Sequence, residues 1–285
     1  MTVLVGWILA LGMVVVVPLG LRLIDDDRQL LGPVGQVWPF AGALGALSLL
    51  LDRGDAFAIV LACCYAAVTA WLAALAALRL LRRRSLAPIE IAVLTAMVAP
   101  AVAASSLIAE RGGWELLGFG MTTQLLTVAH FHYAGFAAAL AAGLTASRAP
   151  SPPASIAAVT VPVGIALVFL GYFTGDGVEL AGAVVLTAGM WLLAWVSWRD
   201  IGSSARGRAT RALFAVSAAV LVATMLLALS WAAGHVFDAV PHLSLTWMAA
   251  THGLANALGF AVCGLLAWRR IQRSGDTPAT KLMSG

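Results

Sequence analysis

Apolar residues run along this chain in long, nearly unbroken stretches, separated by short connections rich in Arg, Asp, Gly and Pro. A helix needs roughly 20 apolar residues to cross a hydrocarbon core about 30 Å thick. Nine stretches approach that length: about 3–24, 34–51, 55–80, 88–109, 117–145, 155–174, 178–198, 210–234 and 245–269. They do not alternate with period two, so they predict helices and not the strands of a barrel. The first lacks a basic leader and ends in Leu23-Ile24-Asp25 without a small-residue cleavage site, so it is expected to persist as a helix.

Composition strengthens that pattern. The 285 residues are 61% hydrophobic and 11% charged, with a mean hydropathy of +0.95. Soluble domains carry about 25% charged residues, and one or two cores could not hide this much apolar surface. Of the three cysteines, Cys63 and Cys64 are adjacent and Cys263 is remote, so no disulfide framework or metal-ligand spacing is available. The expected fold is an all-α polytopic membrane protein of about nine transmembrane helices. It forms a single membrane domain over 1–285 with a cytoplasmic tail at 271–285.

The net charge of +4 belongs to topology. Alternating the nine spans puts 15 of the 17 basic residues on one side and leaves Arg53 and Arg111 on the other. Cytoplasmic loops carry such an excess, so the N-terminus is expected outside and the C-terminus inside. The partner of these charges is the lipid bilayer, not nucleic acid. Glu90, in the first turn after Pro88, is expected to serve the helix dipole.

Landmarks recur at a nearly constant offset. Pro39 matches Pro162, Gly54-Asp55 matches Gly175-Asp176, and Trp71 matches Trp191. The Arg82–Arg84 cluster matches Arg206–Arg211, and Thr127…Gly135-Phe136 matches Thr251…Gly259-Phe260. Four spans per unit is an even number, which predicts a parallel repeat of 34–145 and 157–270 preceded by one extra helix. Transporters often carry such repeats, with substrate sites where they meet.

Polar residues deep in a span should face the bundle. The fifth span carries Thr127, His130 and His132; at 100° per residue Thr127 and His130 share a face while His132 points about 200° away. The ninth carries Thr251, then His252, Asn256, Gly259 and Cys263 as one polar and small-residue stripe. Asp176, Glu179, His235, Asp238 and His242 cluster towards the outer side. An outward cavity would join Glu179, His252 and His130, with Thr127, Thr251 and Asn256 nearby. In the simpler alternative, each histidine only hydrogen-bonds helices together.

The stretches Thr127-Val-Ala-His130-Phe-His132-Tyr-Ala-Gly-Phe136 and Trp247-Met-Ala-Ala-Thr251-His252-Gly-Leu-Ala-Asn256-Ala-Leu-Gly-Phe260 resemble the YndJ-like family of bacterial membrane proteins. Arg82–Pro88 and Leu180–Trp191 extend the resemblance over most of the chain. It implies a multi-pass protein of the bacterial cell membrane, of a kind often labelled as transporters. Separately, Ala129-His130-Phe131-His132-Tyr133 is similar to the haem-ligating segment of haem–copper oxidase subunit I. That likeness implies a b-type haem reading, but the rest of the oxidase pattern, a His-His pair and a His-x-x-x-Tyr, is missing.

The leading expectation is a small-molecule transporter or permease whose site is Thr127, His130, His132, Thr251, His252 and Asn256. Its ligand would be apolar or amphipathic, with no cofactor and no metal. The second is an intramembrane cyclase or isomerase for a prenyl or other lipid-soluble substrate, with His130, His252 and Glu179 as acid and base. No Asp-rich metal box supports that enzyme, and no acidic residue at mid-membrane supports proton coupling.

Overall fold

The structure, a computed structural model, describes residues 2–24 and 28–274. Among these the chain forms nine long helices and no strand. They are α1 (Val3–Leu21), α2 (Arg28–Ser48), α3 (Ala56–Arg83), α4 (Pro88–Gly112), α5 (Met121–Arg148), α6 (Pro152–Thr174), α7 (Asp176–Gly202), α8 (Arg208–Val236) and α9 (Leu245–Arg273). All but α2 are long and apolar enough to cross a membrane. In α2 the Gly residues, Gln36 and two internal prolines, Pro33 and Pro39, dilute the apolar run. The expected tail at 271–285 starts inside α9, which continues to Arg273; residues 275–285 lie outside the described residues.

Local chemistry sets the helix ends. Asp55 caps α3 by accepting from the Phe57 N–H at 2.6 Å, and Ser151 and Ser244 cap α6 and α9. Pro88 and Pro152 occupy first turns, where a missing N–H costs nothing. The fifth helix begins at Met121, later than its apolar run. Leu117 and Gly118 adopt positive φ of 57° and 81° there and break the chain's path.

Every helix traverses the bundle, α2 included. It begins near the end where Arg269 reaches the Arg22 carbonyl, and it finishes where Arg111 holds the carbonyls of Ser48 and Leu51. These are opposite ends of the bundle. Arg79, Arg82–Arg84, Arg148 and Arg269–Arg273 lie at the first, hereafter the arginine-rich end.

Ion clusters tie α3 to α4 at one end and the α2–α3 connection to α4 at the other. At the arginine-rich end Glu90 accepts from Arg79 (2.8 and 3.0 Å) and from Arg83 (2.7 Å), so its role is an interhelical clamp as well as a first-turn charge. At the other end Glu110, fully buried, is gripped by Arg53 (2.6 Å) and Arg111. The two arginines that break the charge bias are thus both bound to one carboxylate. Removing a partner from such a buried pair typically costs about 3–5 kcal/mol.

Close backbone approaches hold the remaining helices. Gly164 and Gly171 on α6 meet Leu186 and Glu179 on α7, while Gly182 and Gly189 on α7 meet Val168 and Thr160–Val161 on α6. A Cβ at any of the four would lie 2.5–2.6 Å from an atom of the facing helix. Small residues at heptad spacing allow this contact. The N-terminal helix is no appendage. Leu9, Met13, Val16 and Val17 are wholly buried, and α1 packs against α2, α5 and α9.

Four helices contain π-helical stretches: Gly12–Val16 in α1, Phe131–Ala138 in α5, Ser197–Gly202 in α7, and Ala249–Gly253 with Asn256–Val262 in α9. In α1 the stretch precedes Pro18, whose missing N–H leaves a carbonyl to be satisfied by local rearrangement. In α5 and α9 it coincides with the two histidine motifs.

Candidate functional site

A cavity of about 200 Å³ lies between α1, α5, α6, α7, α8 and α9. It reaches the arginine-poor end of the bundle at Glu179, Trp231 and Leu245. Its walls are aliphatic, with Ile8, Leu126, Leu186 and three adaptable methionines, Met190, Met225 and Met248. His130, His252, Asn256 and Glu179 supply polar atoms to it, together with Tyr172 and Trp231.

The histidines are oriented by different means. His130 Nδ1 lies 2.8 Å from the Leu126 carbonyl of its own helix, and His252 Nδ1 lies 2.9 Å from the Thr224 carbonyl on α8. A carbonyl only accepts, so the neutral ring carries its proton on Nδ1 in both cases. Each Nε2 is left as an acceptor, and neither makes a hydrogen bond to any described residue. Thr224 also fixes Asn256, its hydroxyl standing 3.0 Å from Asn256 Oδ1 and 2.8 Å from the Val220 carbonyl. One α8 residue therefore positions two α9 side chains.

His132 faces away from the cavity. It is completely buried, with Nδ1 on the Val128 carbonyl at 2.7 Å and Nε2 accepting the Tyr65 hydroxyl at 2.6 Å. Trp38 packs edge-on against Tyr65 and donates to the Met13 carbonyl at 2.9 Å. Gly12 admits this arrangement, since a Cβ there would sit 3.0 Å from the His132 Cβ. With Nε2 engaged, His132 has no free nitrogen to offer an axial metal bond.

Thr127 and Thr251 do not line the cavity. Each hydroxyl donates to its own helix, to the carbonyls of Thr123 (2.9 Å) and Trp247 (2.6 Å), the usual retreat of threonine in an apolar span. The expected stripe on α9 also shifts. Gly259 rests on Val220, but the next close approach to α8 is Gly264 on Ser217, one residue beyond Cys263. A π-turn between them accounts for the extra residue.

At the cavity's mouth Trp231, His235 and His242 form a ring cluster with centroids 4.8–5.5 Å apart. Glu179 is within electrostatic reach of His235 and Asp176. Phe119, Phe131, Phe169 and Phe173 make a chain of edge contacts that closes the seam of α5 and α6. At the opposite end of the cavity stands Phe260, almost fully buried. It also borders a second space of about 10 Å³, among Ser197, Ser217 and Trp268 on the arginine-rich side. Among the described residues no group of three or more His, Cys, Asp or Glu is arranged to hold a metal ion.

A model of the family described as YndJ-like protein matches residues 7–260, most of the chain. The chain belongs to the YndJ-like family. The matched stretch takes in His130, Glu179, His252 and Asn256 and ends at Phe260. No curated protein and no solved structure matches this YndJ-like chain significantly.

Tyr65, Thr224, Tyr172 and Trp231 escaped the sequence reading, as did the cavity-lining residues of α1. Tyr65 and Thr224 were detectable as polar residues within apolar runs. Their partners lie 67 and 28–32 residues away, on other helices, and only packing pairs them.

Proposed function

We propose that this YndJ-like protein is a permease-like carrier of a small amphipathic molecule, and that the cavity is its binding site. The observation that carries this reading is one apolar chamber, reaching the arginine-poor end, with unpaired histidine Nε2 atoms inside it. Phe260 separates it from the smaller space beyond. Ligand sites in bundles are concave, mostly apolar and furnished with a few convergent polar groups. The proposed repeat of 34–145 and 157–270 suits this reading. Its two final helices, α5 and α9, each change to π geometry at the aligned motif, and π-bulges are frequent at functional sites. At about 200 Å³ the cavity is smaller than the roughly 300–1,000 Å³ of ordinary ligand pockets, so its cargo is small. A haem-sized macrocycle would need it to widen.

The intramembrane enzyme remains a second reading, favoured by the same two Nε2 atoms, which could take protons from a substrate with Glu179 nearby. One experiment separates the two. Mass spectrometry of small molecules co-purifying with the wild type should find a ligand that is lost when Ala228→Trp fills the chamber. Proteoliposomes should then move that ligand unchanged across the bilayer. Conversion to a product would favour the enzyme, and identical profiles for both proteins would refute the cavity as a site.

A further inference from the structure

The chemistry of the cavity selects among ligands. Both histidines spend their Nδ1 protons on backbone carbonyls, so their neutral rings present lone pairs to the chamber. Glu179, half-buried at the mouth, adds carboxylate oxygens that also accept. The lining residues include no lysine and no arginine, although the chain has 17 such residues. The charged and imidazole groups of the chamber are therefore all acceptors; its donors, the Asn256 amide, the Tyr172 hydroxyl and the Trp231 N–H, are neutral, and no fixed positive charge is among the lining residues. Tyr172 and Trp231 also line the chamber, Tyr172 within electrostatic reach of Glu179, and aromatic faces attract cations within about 6 Å.

We propose that the ligand is an amphipathic organic cation, a short aliphatic body carrying an ammonium head that donates hydrogen bonds. This assignment rests on the reading of the cavity as a ligand site. The aliphatic part lies against Ile8, Met190 and Met225, and the head lies between Glu179 and the two Nε2 atoms. The competing classes fit less well. An anion would meet the Glu179 carboxylate and two lone pairs with no lining cation to offset them. A pure hydrocarbon would desolvate Glu179 and both rings and give them no partner, which is unfavourable for each such group and most of all for the carboxylate. A neutral alcohol brings one donor to several acceptors. An ammonium brings up to three donors and a compensating charge.

The test uses purified protein in lipid nanodiscs, with calorimetric titration of hexylammonium, 1-hexanol and hexanoate. The Ala228→Trp variant in identical nanodiscs corrects for partition into lipid. The wild type is expected to bind hexylammonium at least tenfold more tightly than either other probe. Glu179→Gln should weaken hexylammonium at least tenfold and change hexanol little. If that variant unfolds, the wild-type ranking of the three probes decides alone. Hexanol or hexanoate binding as tightly as hexylammonium, and lost in Ala228→Trp, overturns the cation while the cavity stands as a site. Absence of binding by all three overturns the cation. If the Ala228→Trp protein also retains every co-purifying molecule, the carrier reading falls with it.

Discussion

Tyr65 and His132 sit on neighbouring helices, both fully buried, and each satisfies the other's polar atom. In Tyr65→Phe the His132 Nε2 is stranded without water or partner. The expected loss is about 1–3 kcal/mol, the usual cost of an unsatisfied buried group. Changing both residues to apolar ones of similar shape should cost less than the two single changes together. Thermal unfolding in detergent measures the cycle, and strict additivity would show that the 2.6 Å contact contributes nothing. This pair also shows where residue-level reading ends. A helical wheel separates His130 from His132, because two residues along any helix reverse the direction of a side chain. It assigns Thr127 to the face of His130 as well, yet Thr127 turns its hydroxyl onto its own backbone. Direction is a local property of the chain. Choice of partner is not, and so the pairing of Thr224 with both His252 and Asn256 follows only from the packing of the helices.

At the scale of elements, the contact of α6 with α7 depends on four glycines rather than on large side chains. Gly171→Leu would drive its Cβ to 2.5 Å from the Glu179 backbone, where no rotamer change can relieve the clash. A loss on the order of 3 kcal/mol or more is expected, seen as a collapsed melting transition or aggregation on size exclusion. Gly35→Ala in α2 has nothing within 4 Å of the new carbon and serves as the tolerated control. A Gly171→Leu protein as stable as the control would refute this packing. Helix positions were legible because each span is a long apolar run closed by polar residues, proline or glycine. Two starts moved: that of α2 lies at Arg28, ahead of the run at 34, because Arg28, Gln29, Gly32 and Pro33 hid its first turns, and that of α5 was obscured by Leu116 and Leu117, apolar residues that belong to a turn. The π-helical stretches left no trace in the sequence. Their extra residue per turn is accommodated by neighbouring backbones, which explains why the small-residue face of α9 runs through Gly264 and not Cys263.

For the whole molecule, the order of helices through the bundle and the placement of charge constrain each other. The connections of α3 to α4, α5 to α6 and α7 to α8 all emerge at the arginine-rich end. Those of α2 to α3, α4 to α5, α6 to α7 and α8 to α9 emerge at the end where the cavity opens. This alternation depends on α2, the least apolar helix. Were it to stop short of crossing, Arg22 and Arg53 would share a face, and α1 would have to reverse. The packing opposes that. Trp38 reaches Met13 midway along α1, and the last turn of α2 meets Arg111 at the far end. Because short cytoplasmic loops carry the excess of Lys and Arg, the arginine-rich end is expected to face the cytoplasm, with the cavity opening outside. Reporter fusions after Arg84, Arg148 and Arg206 should therefore report cytoplasm. Cysteines introduced at Arg53, Gly113 and Asp238 should be labelled by impermeant maleimide in intact cells, on a background in which Cys63, Cys64 and Cys263 are replaced by Ser. The informative position is Arg53. Labelling there, with Arg84 inside, requires α3 to cross. If a cysteine at Asp26 is then protected from the same reagent, α2 crosses as well, and the count is nine. Labelling at both positions would mean that α2 does not cross and would reverse the assigned direction of α1.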